Sequence, residues 1–172
     1  MGGRIGILGS LSIYTPNTAP TAEQNQLGEL GIIDGTKEDR NVKVEKHGAF
    51  TLTYDEHLNS MAFIMQDQEY PIVLHSARWD TGSEYTYISI HKAADLNADK
   101  YKTRSATGID GKTHKGKLYT VTVELPGGIR ISNVDIGELD LSMMRECDAI
   151  IGMDLIKQGK LTVDKDRFSF EI

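Results

Sequence analysis

The sequence predicts an all-β protein, a closed or partly closed β-barrel with one short helix near the C-terminus. Three observations carry this. Short runs alternate between apolar and polar residues at the two-residue period of a strand. Glycine-rich turns punctuate those runs. One stretch late in the chain, around Asp154 to Gln158, reads as a helical turn, with Gly159 placed to stop it. At 172 residues the chain is long enough for one domain with an ordinary core.

The elements follow in order. Tyr14 to Gln26 is rich in Thr, Pro, Ala, Asn and Gln and reads as a loop or linker. Gly6 and Gly9 fall short of a dinucleotide-binding loop, because the third glycine and the helix pattern are missing. From Asn41, Val42 and Val44 alternate with polar residues, Lys46-His-Gly48 makes a turn, and Phe50 to Tyr54 alternates again, so this segment reads as a hairpin. Residues 1–58 are therefore set apart as an N-terminal extension, and 59–172 as the main domain. The extension is open to three roles: a propeptide, an extra layer on the barrel, or an interaction arm.

Met61 to Met65 and Pro71 to Leu74 read as strands joined by the polar Gln66-Asp-Gln-Glu69. The apolar run continues to Trp79, ends in Asp80-Thr81-Gly82-Ser83, and is followed by a second run, Tyr85 to Ile90. Ala93 to Lys100 reads as a short helix or a loop. Thr107-Gly-Ile-Asp-Gly111 is a turn, since Asp-Gly suits positive φ. Leu118 to Leu125 is a strand, turned by Pro126-Gly-Gly128 and answered by Ile129 to Ile136. Asp148 to Ile151 is a buried strand, and Leu161 to Val163 and Arg167 to Ile172 close the chain.

Composition narrows the function. A net charge of −6 argues against nucleic acid as the main partner. Lys112, Lys115 and Lys117 read as a solvated hairpin. No apolar stretch reaches the length of a membrane span, so no membrane partner is expected. Cys147 is the one cysteine, which excludes an intrachain disulfide and fits a cytoplasmic location. The five histidines, His47, His57, His75, His91 and His114, show no metal-ligand spacing, and no metal or other cofactor is expected.

The chemistry is concentrated at Asp80. A strand ending in Asp-Thr-Gly presents a carboxylate where glycine lets the backbone turn tightly and small hydroxyls can hydrogen-bond around the acid. Downstream, Ala149-Ile-Ile-Gly-Met-Asp-Leu-Ile156 has the order expected of a partner segment. Taken together, Trp79-Asp80-Thr81-Gly82-Ser83 with Ile88-Ser89, then Ile150-Ile151-Gly152-Met153-Asp154, then Phe168-Ser-Phe170, resemble the retropepsin-like aspartic protease family in its bacterial and retrotransposon-like branches.

The resemblance implies a retropepsin-like barrel over 59–172 and hydrolysis of polypeptide substrates by water held between two carboxylates. The chain has one Asp-Thr-Gly; Ile33-Asp34-Gly35-Thr36 has the wrong order and reads as a turn. The second carboxylate is therefore expected from Asp80 of another copy on a two-fold axis, making a homodimer. Within the family pattern, Thr81 bonds across that axis, Gly82 lets substrate backbone approach, and Ile151, Gly152 and Asp154 support the loop. The chain end, Phe168 to Ile172, is expected to contribute to the interface. Thr107, Gly108, Ile109, Asp110 and Gly111 fall where the family keeps its flap, the alternative being an ordinary surface hairpin.

Ser83 has two readings: its hydroxyl donates to a charged Asp80 and lowers the pKa of the pair, or it is satisfied by backbone. Met153 replaces the arginine that viral members pair with an acid beside the motif, a difference of branch. Trp79 reads as core. Two classes of function follow, a homodimeric aspartic endopeptidase or a non-catalytic module of the same fold that binds peptides or partners.

Overall fold

A computed structural model describes residues 42–54, 57–65, 70–96, 100–107 and 111–172; the side chains of residues 100 and 101 lie outside the description. The sequence readings on Gly6, Gly9, the Tyr14–Gln26 linker and Asp34 also fall outside it. The strands are β1 (Lys43–Lys46), β2 (Ala49–Thr53), β3 (Asn59–Met65), β4 (Ile72–Trp79), β5 (Tyr87–Ser89), β6 (Lys100–Thr107), β7 (Thr113–Leu125), β8 (Ile129–Leu139), β9 (Ala149–Ile151), β10 (Lys160–Val163) and β11 (Arg167–Glu171). Two short helices accompany them, α1 (Ile90–Ala93) and α2 (Met153–Ile156).

Six strands close a ring in the order β8-β5-β9-β4-β3-β7, sealed by the pairing of β7 with β8. Most neighbours run antiparallel, but β4 pairs β9 in parallel and β5 pairs β8 in parallel. This is the closed barrel that the alternation predicts. Its interior holds Ile64, Leu74, Ile88, Val123, Ile131 and Leu155, all fully or almost fully buried. Strand β6 extends the sheet beyond the N-terminal half of β7, and β1 beyond the N-terminal part of β8.

Closure requires strong local bending, and the sequence supplies it at two bulges. Val121 faces Val134 and Val123 faces Ile131, so one residue of β7 opposes two of β8. Asn133 takes the positive φ there, at 58°. In β4 the register shifts opposite Met61, and the freed N–H groups of His75 and Ser76 donate to Asp148 Oδ2 at 2.7 and 3.4 Å. The β7–β8 turn needs Gly127 at φ 73°, where a side chain would also meet Ala49 O.

A second, three-stranded sheet runs β10-β11-β2. Phe50, Phe168 and Phe170 project from it onto Trp79, with ring centroids 4.8–6.0 Å from the indole. The indole Nε1 donates to Ser60 Oγ at 2.9 Å. Trp79 is thus core, as read from the sequence, and it fixes the end of β4 from which Asp80 emerges.

Three sequence expectations change. Residues 42–54 do not form a hairpin: β1 pairs β8 and β2 pairs β11, so the two strands join different sheets. Their hydrogen bonds are shared with strands of the 59–172 region. A short local turn at Lys46-His-Gly48 was compatible with either pairing, and only the non-local partners decide. A second helix, α1, precedes the segment read as helix or loop; Ser89 caps it by accepting from Lys92 N at 3.3 Å. Finally, α2 begins at Met153, one residue before Asp154. Among the described residues, no helix is long and apolar enough to cross a membrane.

Candidate active site

Strands β4 and β5 are consecutive in the sequence but lie on either side of β9. The loop between them, residues 80–86, must therefore arch over the end of β9, and the chain leaving β9 passes beneath it. Backbone hydrogen bonds strap the two together: Asp80 N to Ile151 O at 3.0 Å, Met153 N to Ser83 O at 2.8 Å, and Asp154 N to Glu84 O at 3.1 Å. The two segments singled out in the sequence, 71 residues apart at Asp80 and Ile151, are thus brought into direct contact.

Asp80 is partly buried at the head of this loop. Its Oδ1 accepts from Gly82 N at 2.8 Å, and its carbonyl accepts from Ser83 N at 3.1 Å, so the turn holds the carboxylate in one orientation. Thr81 and Gly82 form the exposed tip in the single chain.

Ser83 is fully buried, and its hydroxyl donates to Tyr85 O at 2.7 Å. A serine has one proton to give, so the backbone-satisfied reading replaces donation to Asp80. Ser83→Ala should leave the acid limb of any pH–rate profile in place. It should cost about 1–3 kcal/mol of stability, because Tyr85 O loses its donor in a buried setting. Denaturant titration and a pH series on the same variant check both parts.

Asp154 works as a brace. Its Oδ1 accepts from Thr86 Oγ1 at 2.7 Å and from Leu155 N at 2.9 Å; its Oδ2 accepts from Thr86 N at 3.0 Å. Thr86 Oγ1 in turn accepts from Gly152 N at 3.1 Å. Burial of the carboxylate is the largest influence on its pKa and raises it above the ordinary 3.8, against the opposing pull of the Thr86 donors and Arg104. Between the ordinary value and the raised one, the folded protein therefore binds more protons than the unfolded chain does. The associated stability is full below 3.8 and falls as pH rises through the raised value. Asp154→Asn should remove that slope. It should also lower stability by about 1–3 kcal/mol, since its amide nitrogen would face the Thr86 N–H. Unfolding free energies of both proteins across mildly acid to neutral pH check this.

Gly152 is required by space. Its φ of −93° and ψ of −177° are extended and open to any residue, but a Cβ there would lie 2.3 Å from Tyr85 C and O. Ile151 and Ile150 beside it are fully buried. The motif's Ile-Ile-Gly is thus two core residues and the crossing point of two backbones.

Strands β6 and β7 form an antiparallel hairpin with Thr107 opposite Thr113, their hydroxyls 3.1 Å apart. Thr107 and Gly111 are its described ends, the latter at φ 74°. Gly108, Ile109 and Asp110 lie outside the described residues. Ala106 of this hairpin packs in one apolar cluster with Tyr87, Leu139, Leu141, Cys147 and Ile150, against which Tyr85 also rests.

Three contributors have no local sequence signal: Thr86, whose partner is 68 residues away; Asp148, which satisfies the β4 bulge; and Arg104, whose guanidinium lies 3.9 Å from the Tyr85 ring centroid. No cluster of three or more His, Cys, Asp or Glu able to hold a metal occurs among the described residues.

No protein-family model matches the chain, and neither does any curated protein. Among solved structures it is similar to a retropepsin-like aspartic protease from Rickettsia conorii, at 17% identity and a TM-score of 0.48, over 75% of this chain and 94% of that one.

Proposed function

We propose that the chain is an aspartic endopeptidase, active as a two-fold homodimer in which two Asp80 carboxylates share a proton. The observation that carries this is the seating of the Asp-Thr-Gly loop on Ile151-Gly152, with Asp80 oriented by Gly82 N and only partly buried. Asp154, the acid of the Ile-Ile-Gly-Met-Asp segment, is committed to Thr86 and Leu155, so it does not serve as the second carboxylate.

Two like charges a few ångströms apart resist ionising together, so one Asp80 of the pair is charged and the other protonated. The charged one takes a proton from a water held between them, and the resulting nucleophile adds to the peptide carbonyl carbon. The protonated one gives its proton to the carbonyl oxygen as the tetrahedral species forms. Collapse breaks the C–N bond: the leaving nitrogen takes up a proton from the dyad, a hydroxyl of the tetrahedral species returns its proton to the dyad as the product carbonyl reforms, and the pair is again singly protonated. The hairpin of β6 and β7 is the candidate cover for bound peptide.

The C-terminal strand, expected from the sequence to contribute to the interface, has no free edge to offer the proposed dimer. Strand β11 is central in its sheet, bonded to β10 on one edge and β2 on the other, and Phe168 and Phe170 are fully buried within the chain. A second copy that adds to this sheet must meet the outer edge of β10 or of β2. Thr81 and Gly82, exposed in the single chain, would meet their counterparts across the axis.

Incubation with an unstructured polypeptide at mildly acid pH tests the proposal, with sedimentation on the same preparation. Cleavage by a dimer is expected. Full activity from a monomer would sink the dimer. A dimer that binds peptide without cutting it would favour the non-catalytic module.

A further inference from the structure

Arg104 links two parts of the molecule that hydrogen bonds of the sheet do not join. It sits in the middle of β6, which among the described residues is an edge strand bonded only to β7. Its guanidinium lies over the Tyr85 ring at 3.9 Å, and one Nη donates to Asp135 O on β8 at 3.2 Å. Tyr85 belongs to the loop that carries Asp80, and its backbone is fixed on both sides. Its carbonyl accepts from Ser83 Oγ at 2.7 Å, and its backbone passes so close to Gly152 that a Cβ on that glycine would collide with it. Gly137 beneath makes room for the Tyr87 ring, which a side chain there would press on at 2.8 Å, and a Cβ there would stand in ordinary contact with the arginine stem, 3.8 Å from Arg104 Cδ. A planar cation clasped between an aromatic face and a carbonyl is a geometry that arginine fills and lysine fills only in part.

We propose that Arg104 is a positioning residue that pins strand β6 to the Asp80 loop through the Tyr85 ring, setting the distance between the hairpin wall and the catalytic carboxylate. This rests on the protease reading for its effect on catalysis, but the pinning itself does not. On the protease reading, a pinned β6 would set how far the hairpin stands from Asp80 when a peptide lies between them. Loosening it should weaken productive binding of substrate more than it slows the chemical step.

The test uses the full chain with Arg104→Met, Tyr85→Leu, the double variant, and Arg104→Lys. Amide hydrogen exchange is followed across residues 103–107 and 113–117, with steady-state kinetics alongside. Exchange there should rise by about tenfold in Arg104→Met, relative to strands β3 and β4. Tyr85→Leu should give the same rise, and the double variant no more than either. Arg104→Lys should recover part of the protection. KM should rise by about tenfold in Arg104→Met with kcat changed little. Unchanged local exchange, or single-variant effects that multiply in the double variant, would overturn the pinning. Raised exchange with an unaltered KM would overturn the positioning role. If the wild-type chain cleaves nothing, the protease reading fails, and exchange alone still decides whether Arg104 pins β6.

Discussion

Replacing Asp80 with asparagine should reduce peptide hydrolysis by at least about a thousandfold while leaving the fold and the dimer in place. The carboxamide cannot take a proton from water, and a pair of amides has no proton to share. The structural cost is small for a specific reason. Asp80 makes its side-chain contact through Oδ1, which accepts from Gly82 N at 2.8 Å, and an asparagine oxygen can take the same position. The backbone bonds that hold the loop, Asp80 N to Ile151 O and Ser83 N to Asp80 O, do not involve the side chain. Circular dichroism and sedimentation should therefore match wild type. Turnover that survives the change would move the chemistry to another residue.

Gly152→Ala should have the largest effect on the scaffold. The added methyl would stand 2.3 Å from both Tyr85 C and Tyr85 O, and these are backbone atoms with no flexible end to swing aside. Tyr85 O is already held by Ser83 Oγ, and Gly152 N by Thr86 Oγ1. Separating the two backbone segments far enough to admit the methyl would stretch these bonds and those from Asp80 N and Met153 N as well. A destabilisation of about 3 kcal/mol or more is expected, at the upper end for overpacking. That corresponds to a melting temperature lower by roughly 10 °C. Activity should fall with it, because Asp80 is positioned through the same crossing. A variant that melts within a degree or two of wild type would show that the loop and β9 are less tightly bound to each other than their distances imply.

Much of this was legible in the sequence, for physical reasons that can be named. The alternation from Leu118 to Leu125, the Pro-Gly-Gly turn and the return from Ile129 specify a hairpin, because a two-residue period sends alternate side chains to opposite faces. Asp80, Gly152 and Asp154 were legible as a group because their order follows a family pattern. Barrel closure through β7 and β8 was consistent with that pattern but not derivable from any single segment. What stayed hidden depended on partners distant in the chain. Val42 to Tyr54 has the alternation of a hairpin, yet β1 and β2 bond to β8 and β11, a choice made by the surfaces of the folded barrel. The Ser83 hydroxyl could point to acid or backbone, and only the close approach of Tyr85 O decides. The tail at Phe168 to Ile172 looked available for an interface; β2 and β10 occupy both of its edges.

The most direct measurement of the central claim is the activity of a mixed dimer containing one wild-type chain and one Asp80→Asn chain, purified by two different tags. A carboxylate pair shared across the axis predicts that this species is inactive, although it is paired, folded and able to bind peptide. A mixed dimer with about half the wild-type activity would mean that each chain carries a complete site of its own, and would contradict the shared dyad.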